Sequence, residues 1–149
     1  MTRIGIVDLD TSHGESFAKQ IAARDDAELV AVLDHLDVRD DAYVDRYCAE
    51  RACRRCATPA EMIESGVDAV AVLSVNWDAH LERARPFLDA GLAVFIDKPL
   101  AGSAADVAEF QALVEKTGAP FFEGSGWRWN TTISKAREQF ASRDRKSVV

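Results

Sequence analysis

Two carboxylates and an imidazole, Asp8, Asp10 and His13, stand within six residues at the end of the run Arg3–Leu9 (RIGIVDL). Such a set could ligate a divalent ion, since carboxylate oxygen and imidazole nitrogen are both metal donors. A different chemistry emerges on aligning Ile4-Gly5-Ile6-Val7 with the first strand of a dinucleotide-binding unit. Asp8, Asp10 and His13 then occupy the three glycine positions of its G-x-G-x-x-G turn. The second of those glycines lets the backbone approach a pyrophosphate, so a carboxylate there adds bulk and like charge. Two unit charges about 4 Å apart repel by about 1 kcal/mol in water and about 4 kcal/mol at an effective dielectric of 20. The expectation is a displaced loop or weakened cofactor binding. Asp8 is the milder replacement, because Asp tolerates a left-handed turn better than most residues. A plainer reading has the carboxylates only capping the turn and the next helix.

Further polar residues follow later apolar runs. Asp34 ends Glu28–Leu33 and lies 34 − 13 = 21 residues after His13, the spacing of an acid that hydrogen-bonds the adenine ribose hydroxyls, which favours NAD over NADP. It also reads as an ordinary cap. Ser74, Asn76 and His80 follow Asp68–Leu73, and Asp97, Lys98 and Pro99 follow Ala93–Ile96. Cys48, Cys53 and Cys56 supply three thiols, one short of a structural zinc site, and are read as reduced, half-buried side chains.

The elements needed to position these residues alternate. Asp68–Leu73 and Ala93–Ile96 are almost continuously apolar, as strands buried on both faces are. Between them Leu81, Ala84 and Leu88 recur at helical spacing, Gly91 follows as a C-cap, and Pro86 is expected to kink the helix. Ser12 to Glu15 reads as a capping box for a helix with Phe17, Ala18, Ile21 and Ala22 inward. Asp40–Glu50 is a helix with Tyr43, Val44 and Tyr47 on one stripe, and Arg54–Ala57 a weakly marked third strand. Thr58-Pro59 starts a short helix ending at Gly66, and Ser103 with Asp106 starts another that runs to Thr117-Gly118. Ala119–Glu123 is the sixth strand, and Ile133–Phe140 begins an amphipathic helix that stops early. The alternation predicts an α/β fold, a doubly wound parallel sheet of Rossmann type with strand order 3-2-1-4-5-6. Its ligands belong at the carboxyl ends of the strands. The expected core is Ile4, Ile6, Leu29, Ala31, Leu33, Val70, Val72, Val94, Ile96, Phe110 and Val114.

Asp97-Lys98-Pro99 after a buried strand, preceded by Ala90-Gly91, resembles the Glu-Lys-Pro motif of the Gfo/Idh/MocA oxidoreductases, a family that includes glucose-fructose oxidoreductase and inositol dehydrogenase. Ser74-Val75-Asn76 with His80 resembles that family's Thr-Pro-Asn and His segment, without the proline. Gly124–Asn130 resembles the linker out of the first domain, with Arg128 matching an arginine often found there. The resemblance implies a dinucleotide-binding domain over residues 1–124, a linker and the start of a C-terminal domain over 125–143, and a non-native tail over 144–149, whose DRKSVV resembles a translated sequencing adapter. It implies hydride transfer between NAD or NADP and a sugar, polyol or related alcohol. Lys98 would be catalytic, a cation beside a developing alkoxide, or else simply ion-paired with Asp97. Cofactor contacts would come from Asp8, Asp10, Ser12, His13, Asp34, Ser74, Asn76, His80, Asp97, Pro99 and Arg128. His80 reads equally as a partly exposed helix residue. The family's proton-transfer Asp and His lie in its second domain, so this chain alone is expected to be inactive. The rival is a Rossmann-scaffold binding or regulatory module that has lost its dinucleotide.

Composition sets the remaining bounds. The 149 residues are 48% hydrophobic and 29% charged, ordinary for one globular domain. A net charge of −7 and the lack of a basic patch argue against nucleic acid and anionic membranes. No signal peptide or membrane span is read, so the expectation is a cytoplasmic protein with a small-molecule substrate, leaving room for a homo-oligomer at full length. About 5% of X-Pro bonds are cis, so Lys98-Pro99 is expected trans.

Overall fold

The structure is a computed structural model that describes residues 1–126 and 130–144. Its elements are β1 (Thr2–Val7), α1 (His13–Ala22), β2 (Ala27–Leu33), α2 (Asp41–Arg51), β3 (Arg54–Cys56), α3 (Pro59–Glu64) and β4 (Ala69–Val72), then, after a 3₁₀ turn (Trp77–Ala79), α4 (His80–Asp89), β5 (Ala93–Ile96), α5 (Ala104–Thr117), β6 (Phe121–Glu123) and α6 (Thr131–Asp144). The strands form one all-parallel sheet in the order β3-β2-β1-β4-β5-β6, as the alternation predicts. Consecutive strands β3 and β4 lie far apart in it, so the order reverses beside β1. That switch point is where the carboxyl ends leave a crevice.

Two cores sandwich the sheet. Successive strand residues face opposite sides, so Val7, Ala31, Leu33, Val70, Val72, Val94 and Ile96 pack with α3, α4 and α5, through Met62, Phe87, Leu88 and Phe110. Ile6, Val32, Ala71 and Leu73 pack on the other side against Ala18 of α1 and Val44 and Tyr47 of α2. Fully burying a side chain such as Phe87 or Leu88 is worth about 1.5–3 kcal/mol. Three expected core residues, Ile4, Leu29 and Val114, are only partly buried. For Ile4 and Leu29 the reason is position along the strand. Burial rises toward the carboxyl ends of β1 and β2, and their amino halves remain half-covered.

The helix starts separate two kinds of cap. Thr58 accepts from the Glu61 N–H at 3.2 Å and Ser103 from the Asp106 N–H at 3.1 Å, both from extended backbone, as a capping side chain requires. The capping box expected at Ser12 does not form. Ser12 is itself helical (φ −63°, ψ −7°), so its oxygen cannot reach back, and the Thr11 hydroxyl accepts from the His13 N–H at 3.1 Å instead. α4 continues through Pro86 as one helix, and α6 runs on past Phe140 to Asp144. The Lys98-Pro99 peptide is cis rather than trans; the intrinsic preference for trans is only about 0.5–1 kcal/mol, within reach of ordinary tertiary contacts. No helix among the described residues is long and apolar enough to cross a membrane.

Gly118 ends α5 at φ +65° with open space where a Cβ would stand. Gly118→Ala should therefore cost about 1 kcal/mol through backbone strain alone. A urea midpoint equal to wild type would show that the left-handed turn carries no such cost.

Candidate functional site

β1 ends by turning left-handed at Asp8 (φ +66°), in the position that a glycine would take in a dinucleotide turn. This carboxylate is turned into the interior. It is 1% exposed, accepts from the His35 N–H at 2.9 Å and from Arg83 Nη1 at 2.6 Å, and takes further hydrogen bonds from the His35 ring and the Ser74 hydroxyl. Burial alone would raise its pKa, but the His35 and Ser74 hydrogen bonds and the Arg83 charge reverse that and hold it below the usual value. Arg83, 8% exposed and projecting from α4, also pairs with Asp37. The ends of β1, β2 and β4 are thus joined by one buried charge cluster.

Asp10 turns inward as well. It is 6% exposed, and one oxygen accepts from the Val75 N–H at 2.8 Å while the other has no partner among the described residues. Burial, together with the nearby charges of Asp8 and Asp34, pushes its pKa up. Asp34 accepts from the Leu9 N–H and the Leu36 N–H, each at 2.8 Å, bracing the turn from β2. Gly14, one residue beyond the third glycine position, lets α1 pack closely on the turn: a Cβ there would stand 2.9 Å from the Leu9 side chain.

His13 is the one member of the trio that faces outward. Its Nδ1 lies 2.5 Å from an Asp97 carboxylate oxygen, linking the start of α1 to the end of β5 across the end of β4. Asp97 is therefore paired with His13, and among the described residues the Asp97–Lys98 ion pair allowed by the sequence does not form; Asp97 is buried and Lys98 exposed. A cavity of about 370 Å³ is lined by His13, Asp97, Lys98, Ser125, Gly126 and Asn130. A neighbouring one of about 320 Å³ adds Thr11, Ser12, Ser74, Val75, Trp77 and Pro99.

The remaining candidates divide. Asn76 caps the 3₁₀ turn, accepting from the Asp78 N–H at 3.2 Å, and is exposed. His80 is fully buried, not a partly exposed helix residue. Its Nε2 is 2.9 Å from the Ser74 carbonyl, and its Nδ1 is 3.0 and 3.1 Å from those of Pro99 and Leu100. It holds the loop bearing Lys98 against the end of β4. Arg128 lies outside the described residues. Asp8, Asp10 and His13 meet three different partners, and no cluster of three metal-ligating side chains occurs among the described residues. Sequence reasoning missed Arg83, His35 and Asp37. The one available signal was Asp8 itself, a carboxylate inside an apolar run that needed a countercharge.

Comparison with known proteins gives a consistent picture. The family model for the Gfo/Idh/MocA oxidoreductases, with NAD-binding Rossmann fold, matches residues 2–125. Among solved structures, a probable dehydrogenase from Thermotoga maritima is 27% identical with TM-score 0.78, covering 94% of this chain and 41% of that one. A Gfo/Idh/MocA family oxidoreductase from Vibrio cholerae is 26% identical (TM-score 0.77; 93% and 44%), and a putative myo-inositol dehydrogenase from Sinorhizobium meliloti 1021 is 25% identical (TM-score 0.78; 95% and 41%). The chain thus spans about two fifths of the length of these proteins. No curated protein sequence matches it.

The buried cluster sets two expectations. The His35 pKa is raised, first by its hydrogen bond to Asp8, so its contribution to stability is full below the unfolded value of about 6.5 and is lost as pH rises through the folded value. Melting temperatures should decline on that alkaline side, and His35→Gln should flatten the decline; an equal slope in both proteins would exclude His35 as its source. Arg83→Met leaves Asp8 charged and buried and should cost about 3 kcal/mol or more in urea unfolding, against near-neutrality if Asp8 found another partner.

Proposed function

This chain belongs to the Gfo/Idh/MocA oxidoreductase family, and we propose that it forms the dinucleotide-binding part of an enzyme moving hydride between NAD(P) and a sugar, polyol or related alcohol. The observation that carries the reading is the exposed Lys98 on a cavity wall it shares with His13 and Asp97, at the carboxyl end of β5. The myo-inositol dehydrogenase assignment of the Sinorhizobium relative supports the alcohol class.

The residues at the turn fit a dinucleotide despite the replaced glycines. Asp8 adopts the left-handed conformation that a glycine would supply, Gly14 permits the close approach of α1, and the Asp10 carboxylate is folded onto Val75. The start of α1, with Ser12 exposed beside it, would hold phosphate. Asp34 would meet the adenine ribose, and Ser74, Asn76, His80, Asp97 and Pro99 would shape the wall toward the nicotinamide. When bound, the nicotinamide supplies hydride acceptance or donation. Lys98 would stabilise negative charge developing on the substrate oxygen.

NADH and NADPH titrations followed by nicotinamide fluorescence test this. NADH should bind more tightly, and Asp34→Ser should shift preference toward NADPH. No binding of either at millimolar concentration would favour the rival, a Rossmann scaffold serving as a binding or regulatory module, for which the replaced glycines speak. Equal loss for both cofactors would remove Asp34 from the ribose.

The 149-residue chain alone should bind without measurable turnover across polyols and sugars. Lys98 is exposed to solvent in it, whereas positioning and water exclusion account for much of a catalysed rate. Turnover by this chain, abolished in Lys98→Ala, would show that these residues suffice.

A further inference from the structure

The three cysteines carry free thiols, and the sheet sorts them. Cys53 and Cys56 lie three residues apart along β3 and its approach, so they fall on opposite faces. Cys56 packs with the core under α3, α4 and α5, whereas Cys53 joins Cys48 in the core under α1 and α2. The pair that meets is therefore Cys48 and Cys53, at the end of α2. Ala52 turns left-handed there (φ 52°), and the Cys53 N–H donates to the Cys48 carbonyl, five residues back, at 3.1 Å. A helix stop of this kind brings the side chains at those two positions into contact. The Cys53 thiol also lies 3.8 Å from the Cys48 carbonyl oxygen. The two sulfurs share a hydrogen bond, which pushes the Cys48 thiol up and pulls Cys53 below the ordinary thiol value.

We propose that Cys48 and Cys53 are a redox pair, converted reversibly by a small-molecule disulfide into a bridge that locks the end of α2, and that Cys56 takes no part. Cys53 is the entry point, half-buried where Cys48 is 5% exposed. Its thiolate attacks one sulfur of a disulfide such as oxidised glutathione. That S–S bond breaks, one glutathione leaves and takes up a proton, and Cys53 carries the mixed disulfide. With Cys53 no longer an anion, the influence that raised the Cys48 thiol is gone. Cys48 loses its proton and attacks the Cys53 sulfur, forming the bridge and expelling the second glutathione, which takes up that proton. Two protein thiols are thereby oxidised by two electrons, and one small disulfide is reduced to two thiols. The lock bears on the crevice by its place. The same last turns of α2 carry Tyr47, whose hydroxyl donates to the Gly14 carbonyl at 2.7 Å, and Arg51, which pairs with Glu15, both at the start of α1. The pair needs no dinucleotide, so it stands apart from the function proposed above.

Peptide mass spectrometry tests it, because trypsin separates the three thiols by cutting after Arg46, Arg51, Arg54 and Arg55. The native 149-residue chain, held with millimolar oxidised glutathione, alkylated and digested, should give residues 47–51 linked to 52–54, with Cys56 alkylated. That link should exceed any other by about tenfold, since exchange between thiols follows contact and access. It should disappear with dithiothreitol and lose its preference in concentrated urea, where links to Cys56 should appear as well. In Cys48→Ser glutathione should stay on Cys53, and Cys56→Ser should oxidise as the wild type does. Amide hydrogen exchange at Ala52 and Cys53 should slow about threefold or more in the oxidised chain, as a locked helix end opens less often. A Cys53–Cys56 link in the native chain, no oxidation, or the same pattern of links with and without urea would overturn the pair. Exchange unchanged by oxidation would overturn the lock.

Discussion

A single buried carboxylate organises this crevice. Asp8 leaves β1 in a left-handed conformation and is almost fully enclosed, a placement that would be costly for an isolated charge. Its hydrogen bonds and ion pair recruit one group from each neighbouring strand end: His35 after β2, Ser74 after β4, and Arg83 from α4. Because removing any one partner exposes the rest to an unbalanced charge, the turn has little freedom to slide. The loop that would face a cofactor is thus braced from beneath by electrostatics.

The consequence is a division of labour within Asp8–His13. The two carboxylates face the interior and serve the scaffold, and the imidazole faces the cleft. His80 does on the far side what Asp8 does on the near side. Its ring lies between the end of β4 and the carbonyls of Pro99 and Leu100, so the loop carrying Lys98 is referred to the same strand that carries Ser74. Lys98 itself remains exposed. Immobile supports with a solvated cation above them are what a site needs when its charge is to act on something that arrives.

The sheet was legible because its signals are local and redundant. The alternation that puts Ile6 and Val7, or Ala71 and Val72, on opposite faces is visible in the letters, and caps such as Thr58 and Ser103 work through contacts three residues away. What the letters did not show were pairings over long separations. Arg83 meets Asp8 across 75 positions and His13 meets Asp97 across 84, and no spacing rule within one helix or loop contains such information. The like-charge argument about Asp10 was sound for a carboxylate aimed at a phosphate. In this structure the Val75 N–H gives that side chain an inward partner. The Ser12 capping box failed for a local reason, since the helix geometry begins one residue earlier than the box requires.

The central claim is that a dinucleotide can occupy this crevice over a turn whose acidic residues face inward. The most direct measurement is a crystal structure of the chain grown with NADH. The account predicts pyrophosphate over the start of α1, the Asp8–His35–Arg83 cluster unmoved, Asp10 still on the Val75 N–H, and the nicotinamide beside Lys98 and His13. Pyrophosphate bound elsewhere, or bound only with the Asp8 cluster broken and Asp10 swung outward, would contradict it.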